Sequence, residues 1–391
     1  MTVLLLAPHP FFQDRGTPIA VDLLLRELAL RGENVDVLTY HEGADRTYPG
    51  PGRVRIFRIA RPPACRNIRP GFSMKKILAD LWMYGKARAL LRENAYDAIH
   101  AVEESVFIAM RLGRQRGIPY VFDMDSSMPD QMVAKLPWLK PALPWLRRCE
   151  RGAIRRAAAV AAVCDALANL ARKNGATRTF ILRDVPLLDQ SPAGAPGQGF
   201  RRALGLAGPC VLYIGNLEPY QGIALLLESW ALVPAELGAH LVIVGGIPRH
   251  VEYYRDRAAK LGVADRVHLI GPRPLGDMSA LMAEAEVLVS PRTRGTNTPM
   301  KIYSYMASGK AIVATDLFTH TQVLNPGIAR LAAPEPAAFA RAMAELLGNR
   351  AEREALGRAA LRVVTTAYSL DIFRRTVNEL YDALQRKPAD G

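Results

Sequence analysis

Short apolar runs alternate with helical stretches twice along this chain, once on each side of PLLDQSPAGAPGQGF (186–200). Such alternation points to parallel sheets covered on both faces, because crossover helices join parallel strands. The first set begins with VLLLA (3–7) and the helical TPIAVDLLLRELALRG (17–32). VDVLTY (35–40), VRIFRI (54–59), YDAIHAV (96–102), PYVFD (119–123), AAVAAV (158–163) and TFILRDV (179–185) follow as strands. The second set reads CVLYIGN (210–216), HLVIVGG (240–246), RVHLIG (266–271), EVLVSP (286–291) and AIVAT (311–315), with helices between, and then a helical final fifty residues. The predicted fold is α/β, with two doubly wound, Rossmann-like domains facing an interdomain cleft. The expected boundaries are 1–190 for the first domain, 191–200 for a linker and 201–365 for the second domain. A C-terminal helix in 366–391 is expected to pack back toward the first. Ligands of such sheets bind outside the carboxyl ends of the strands, where strand order reverses.

Composition narrows the class. The chain has 391 residues and is half hydrophobic, enough for full cores and too apolar for a disordered chain. Its four cysteines are scattered, without a CxxC, which fits a reducing cytoplasm. The apolar start lacks the basic flank and cleavage site of a signal peptide, and no apolar run approaches membrane-spanning length. The net charge is +14. Residues 1–190 hold 29 basic and 19 acidic residues; the remainder holds 22 and 18. Nucleic acid is not the expected partner, since aromatics are sparse and no binding module is present.

The passage richest in chemistry is SPRTRGTNTPMKIYSYMASGKAIVATDLFTHTQVL (290–324). Pro299 suits the first turn of a helix. The N–H groups of 297–300, Asn297 and Thr298 among them, would then form an anion pocket, with Lys301 adding charge and Ser304 one turn on. On spacing alone, this is equally a polar capping loop. Gly215 and Gly222 allow close backbone approach after the first strand of the second domain. Asp125 lies at a strand end, either as a cap beside Ser126 and Ser127 or as a site residue. His100, with Glu103 and Glu104, is expected at another strand end. It is either a hydrogen-bonded structural residue or a catalyst.

These motifs resemble the retaining, GT-B-fold glycosyltransferases of glycosyltransferase family 4, over nearly the whole chain. YMASGKAIVATD (305–316) is similar to the second part of the family's C-terminal signature. The signature's two glutamates fall on Thr296 and Ser304, which marks a divergent subgroup. LYIGNLEPYQGIALLLES (212–229) resembles the segment whose Arg and Lys neutralise the donor diphosphate; here those positions are Asn216 and Gln221. Arg292, Arg294 and Lys301 are the candidate replacements. FFQDRGTPIAVDLLLREL (11–28) is similar to the first-domain Gly-rich loop, with Gly16 and Thr17 in the place of its glycine pair. In PYVFDMDSS (119–127), the family's histidine falls on Asp125. Arg273 stands where the family's backbone meets the nucleotide base.

The resemblance implies a hexosyltransferase-type enzyme using a nucleotide-sugar donor with retention, with neither metal nor cofactor. The acceptor would be lipid-linked or a glycan precursor. Two stretches carry the basic excess of the first half. SMKKILADLWMYGKARALLREN (73–94) combines apolar residues with Lys75 and Lys76, and 132–156 combines Trp138 and Trp145 with Arg147 and Arg148. Tryptophan with cations beside an apolar stripe is the composition of interfacial segments. The expected location is therefore cytoplasmic, peripheral on the inner membrane face, with an anionic membrane surface as partner. Two alternatives come from other classes: a non-catalytic sugar-, nucleotide- or lipid-binding member, and a sugar-nucleotide epimerase.

Overall fold

The computed structural model describes residues 1–13, 16–63, 65, 66, 68, 73–186 and 199–386. The expected linker at 191–200 lies mostly outside them. The chain divides into two compact units, Met1–Arg183 with Asp371–Gly391, and Asp184–Leu370.

The first unit is built on strands β1 (Thr2–Ala7), β2 (Asn34–Thr39), β3 (Val54–Arg58), β4 (Ala98–Val102), β5 (Tyr120–Met124), β6 (Ala159–Ala162) and β7 (Thr179–Ile181). Helices α1 (Gly16–Arg31), α2 (Met74–Glu93), α3 (Val106–Arg116), α4 (Met128–Lys135), α5 (Leu143–Arg156) and α6 (Asp165–Lys173) connect them. The strands pair in parallel in the order β3-β2-β1-β4-β5-β6-β7. Side chains alternate between faces along each strand. Leu4, Leu6, Ile99, Ala101 and Phe122 thus pack with Ala79 and Met83 of α2 and Val106 of α3. Order reverses at β1 and β4, so the loops after those strands flank the ligand-binding edge.

The second unit repeats the plan with β8 (Cys210–Ile214), β9 (His240–Val244), β10 (Val267–Gly271), β11 (Val287–Ser290), β12 (Ala311–Thr315) and β13 (Arg330–Ala332). Its helices are α7 (Arg201–Leu204), α8 (Ile223–Trp230), α9 (Pro248–Lys260), α10 (Met278–Ala283), α11 (Lys301–Ala307), α12 (Phe318–Thr321), α13 (Pro336–Gly348) and α14 (Arg350–Ala367). The order is β10-β9-β8-β11-β12-β13, parallel throughout. Val211, Tyr213, Val287 and Val289 face a core with Trp230, Phe339 and Met343. Leu212, Leu288 and Ile312 face the opposite core with Tyr305, Met306 and Val364. Each such side chain, fully buried, contributes about 1.5–3 kcal/mol. The short β13 has no counterpart among the sequence-predicted strands.

Helix α15 (Leu370–Gln385) belongs to the first unit. The second unit ends at Leu370, shortly after α14 ends at Ala367. Arg374 Nε donates to Glu27 Oε2 (2.7 Å), and Arg31 donates to Asn378 Oδ1 (3.0 Å). Among the described residues, no helix is long and apolar enough to cross a membrane.

Candidate functional site

In the second sheet, order reverses between β8 and β11. The loops leaving these strands contain Gly215–Gly222 and Pro291–Met300. Two glycines let them approach. Gly222 has φ +76°, and a Cβ there would lie 1.9 Å from Pro291 O. Gly215 has φ +152°, and a Cβ there would lie 2.7 Å from Lys301 Nζ. Lys301 thus reaches from α11 to the end of β8. Its Nζ donates to Gln221 Oε1 (3.2 Å) and sits 3.9 Å from the Tyr213 ring centre. The Tyr213 hydroxyl donates to Asn216 O (2.6 Å).

Arg292 is buried beside this cluster. Nε donates to Arg294 O (2.7 Å), and the two terminal nitrogens donate to Asn297 O (3.1 Å) and Asn297 Oδ1 (3.0 Å). The guanidinium lies 5.3 Å from the Tyr220 ring centre. Among the described residues, neither Arg292 nor Lys301 pairs with a carboxylate. Burial, and then Arg292, hold the Lys301 ammonium well below the usual lysine range. Burial also lowers Arg292. Unpaired, desolvated cations are costly, and an anion bound between them offsets that cost. Tyr213 was not singled out from the sequence. The available signal was its position two residues before Gly215, which puts it on the same strand face.

The other second-unit candidates fall into different settings. Asn216, Arg294, Thr296 and Arg273 are exposed. Pro299, Thr298 and Ser304 are buried, and Thr298 Oγ1 has no hydrogen-bond partner among the described residues. The helix expected from Pro299 begins at Lys301, with Ile302 N bonded to Pro299 O (2.9 Å). α11 has only seven residues, so its dipole adds less than the Arg292 and Lys301 side chains to the charge beside this loop.

In the first unit, Gly16 opens α1 with φ +38°, next to Thr17. Asp125 follows β5 and is half-buried, with Ser126 and Ser127 buried beside it. The N-terminus of α4 is held by Glu150 of α5, whose carboxylate accepts from Met128 N (3.0 Å) and Ser127 Oγ (3.3 Å). Burial pushes Glu150 up to about 7.

His100 is fully buried. Nε2 lies 3.2 Å from Asp123 Oδ2, Nδ1 lies 3.0 Å from the Tyr381 hydroxyl of α15, and the two rings stack. The expectation of a catalytic His100 is corrected. With no exposed surface and both nitrogens engaged, it anchors the C-terminal helix.

Lys76 is also corrected, from a surface cation to a buried one. It is ion-paired with Glu104 and faces inward with Asp80, which accepts from the Tyr40 hydroxyl (2.6 Å). Burial, with Glu104 next, pushes Asp80 up to about 8. Glu103, the one non-glycine residue of positive φ among those described, is pushed up to about 7 by burial and Glu104. The opposite, outer face of α2 exposes Met74 (75%), Ile77, Leu81 (62%) and Trp82. Lys75 is exposed, donating to Arg66 O (2.8 Å). Trp138 (72%) and Trp145 (64%) are exposed, as are Arg147 and Arg148, with Arg147 bonded to Asp130 (3.1 Å).

Residues 15–182 match the model of the glycosyl transferase 4-like domain, and residues 208–349 match glycosyl transferases group 1. The phosphatidyl-myo-inositol mannosyltransferase of Mycobacterium tuberculosis is 31% identical over 166 residues, 40% of this chain and 43% of that protein. The chain thus spans less than half the length of the curated relatives it matches. Among solved structures, sucrose-phosphate synthase from Thermosynechococcus elongatus superposes with TM-score 0.81 at 21% identity, covering 98% of this chain and 99% of that one. Anabaena HepE, solved with UDP-glucose, gives TM-score 0.72 at 15% identity, covering 98% and 100%. The two family models, one on each unit, and the paired Rossmann-like sheets place the chain in the GT-B glycosyltransferases of the family-4 type.

Proposed function

We propose that this chain is a hexosyltransferase-type glycosyltransferase. Its second unit holds a nucleotide-sugar donor, and its first unit presents a lipid-linked or glycan acceptor, with transfer by retention. The observation that carries the reading is the pair Lys301 and Arg292, two desolvated basic groups without a carboxylate partner among the described residues, at the switch point of the second sheet, whose charged forms a bound anion would favour. A diphosphate leaving group gains negative charge as the glycosidic bond breaks. Preorganised cations in a dry site stabilise that charge. In this proposal they take the part a divalent metal would otherwise play. Lys301 and Arg292 thus stand in for the cations missing at Asn216 and Gln221. The UDP-glucose complex of the structurally similar HepE supports this donor class.

Asp125, at the carboxyl end of β5, is proposed to face the reacting carbon or the acceptor hydroxyl. The acceptor side is proposed to meet a membrane at the cytoplasmic face. The outward apolar face of α2 and the exposed Trp138 and Trp145 support this, because such surface gains free energy at a lipid interface. So does the name of the mannosyltransferase relative, which specifies a phosphatidylinositol acceptor. A second reading, a member that binds donor without transfer, is favoured by the replacements at Asn216, Gln221, Thr296 and Ser304. Titration with UDP and UDP-sugars, followed by transfer assays on wild type and Asp125→Asn, separates the two. The enzyme reading expects donor binding by both proteins and loss of transfer in the variant. Binding without any transfer by wild type favours the second reading.

A further inference from the structure

The segment from Thr315 to Gln322 holds the cation loop from behind. Thr315 Oγ1 donates to Arg292 O (2.6 Å), Thr319 Oγ1 to Asn297 O (2.6 Å) and Gln322 Nε2 to Thr296 O (2.7 Å). At its centre is His320, fully buried. His320 Nδ1 lies 2.9 Å from Thr315 O and 3.0 Å from Thr315 Oγ1, and Nε2 lies 2.9 Å from Ser290 Oγ at the end of β11.

Hydrogen counting selects one tautomer. The Thr315 hydroxyl proton is committed to Arg292 O, so Nδ1 carries the ring proton and donates to Thr315 O. Nε2 then accepts from the Ser290 hydroxyl. Burial, opposed by the Thr315 carbonyl and reinforced by Arg292 and Lys301, pushes His320 down to about 4. The ring therefore stays neutral near pH 7. A proton on Nε2 would set a third cation beside Arg292 and Lys301 and invert the Ser290 bond.

We propose that His320 is a positioning residue for nucleoside-diphosphate binding. As a neutral imidazole it ties the 315–322 segment to β11, and that segment fixes Arg292 and Asn297 in the loop that faces the diphosphate. This inference rests on the donor reading above.

The test is calorimetric titration of the full chain with UDP between pH 4.5 and 7.5, using wild type, His320→Ala, His320→Asn and Ser290→Ala. Wild type is expected to bind. His320→Ala is expected to bind at least fivefold more weakly at pH 7.5 and Ser290→Ala at least threefold. His320→Asn should recover part of the loss, because its amide nitrogen can still donate to Thr315 O. The ratio of wild-type to His320→Asn affinity should stay level from pH 7.5 to about 5 and only begin to fall at pH 4.5, where about a quarter of the imidazole but none of the amide carries a proton. If His320→Ala fails to fold, Ser290→Ala and Thr319→Val, each a loss of one hydroxyl, carry the same expectation. Wild-type binding with every variant within twofold across the pH range overturns the proposal for His320 and leaves the donor reading standing. No UDP binding by wild type overturns both.

Discussion

Lys301 donates to Gln221 across the switch point of the second sheet, 3.2 Å apart, although 80 positions separate them in the chain. The neutral glutamine stands where the resemblance places a lysine. Two ammonium groups at this distance would repel, so a cation on α11 and a neutral acceptor at 221 form a consistent pair.

The first prediction concerns Lys301→Met. An ammonium–phosphate hydrogen bond contributes about 1.5–3 kcal/mol, so UDP affinity should fall about tenfold to a hundredfold. Without ligand the variant should melt a few degrees higher, because a desolvated charge has been removed. Calorimetry and thermal melts check both. A lower melting temperature with unchanged UDP affinity would remove Lys301 from the site.

A second prediction follows from the Tyr381–His100 contact. Tyr381→Phe removes one buried hydrogen bond and should cost about 1 kcal/mol. His100→Ala also leaves Asp123 and Tyr381 unpaired and should cost more. Limited proteolysis should cut near 370 faster in both variants, in the order Ala over Phe. Equal cutting rates in wild type and His100→Ala would contradict the anchoring role.

Glu150 gives a pH dependence. Its folded pKa of about 7 lies above the ordinary glutamate value of 4.5, so the native state holds its proton more tightly. The resulting stabilisation is complete below about pH 4.5 and is lost as pH rises through 7, about 3 kcal/mol at most. Glu150→Gln cannot titrate. Its melting temperature should match wild type at pH 4.5 and exceed it increasingly up to pH 8. A constant offset across this range would mean that Glu150 titrates normally.

The outer face of α2 predicts lipid binding. Met74 and Leu81 are 75% and 62% exposed, and the basic residues of the unit add electrostatic attraction. Vesicles containing anionic phospholipid should sediment wild type at low salt. The double variant Met74→Ser/Leu81→Ser should bind at least fivefold less, and Arg147→Glu/Arg148→Glu should lose chiefly the salt-sensitive part. Equal sedimentation of all three would contradict a membrane role for this face.

The strands and their parallel arrangement were legible because buried parallel strands are continuous apolar runs. AIVAT at 311–315 coincides with β12, and the others differ by a few residues at their ends. The partners of polar residues were not legible, because they depend on distant positions. Lys76 read as a surface cation until Glu104 supplied its counter-charge, and His100 stood between structural residue and catalyst until Tyr381 covered it. In α2 the same logic reversed the helix. Lys76, paired with Glu104, and Asp80, bonded to Tyr40, face inward, and Met74, Ile77 and Leu81 face out. The displaced cation was partly legible: Lys301 and Arg292 stood beside the loop, but the approach of Lys301 to Gly215 and Gln221 required the fold.

The most direct measurement is transfer of labelled sugar. Wild type and Lys301→Met are incubated with a panel of labelled nucleotide-sugars and a bacterial membrane-lipid extract, in the presence of a chelator. Wild type should move label from one donor class into the lipid or glycan fraction, and Lys301→Met, folded by circular dichroism, should lose at least nine-tenths of that transfer. Absence of both transfer and donor binding by wild type for every donor, with and without added divalent metal, would contradict the account.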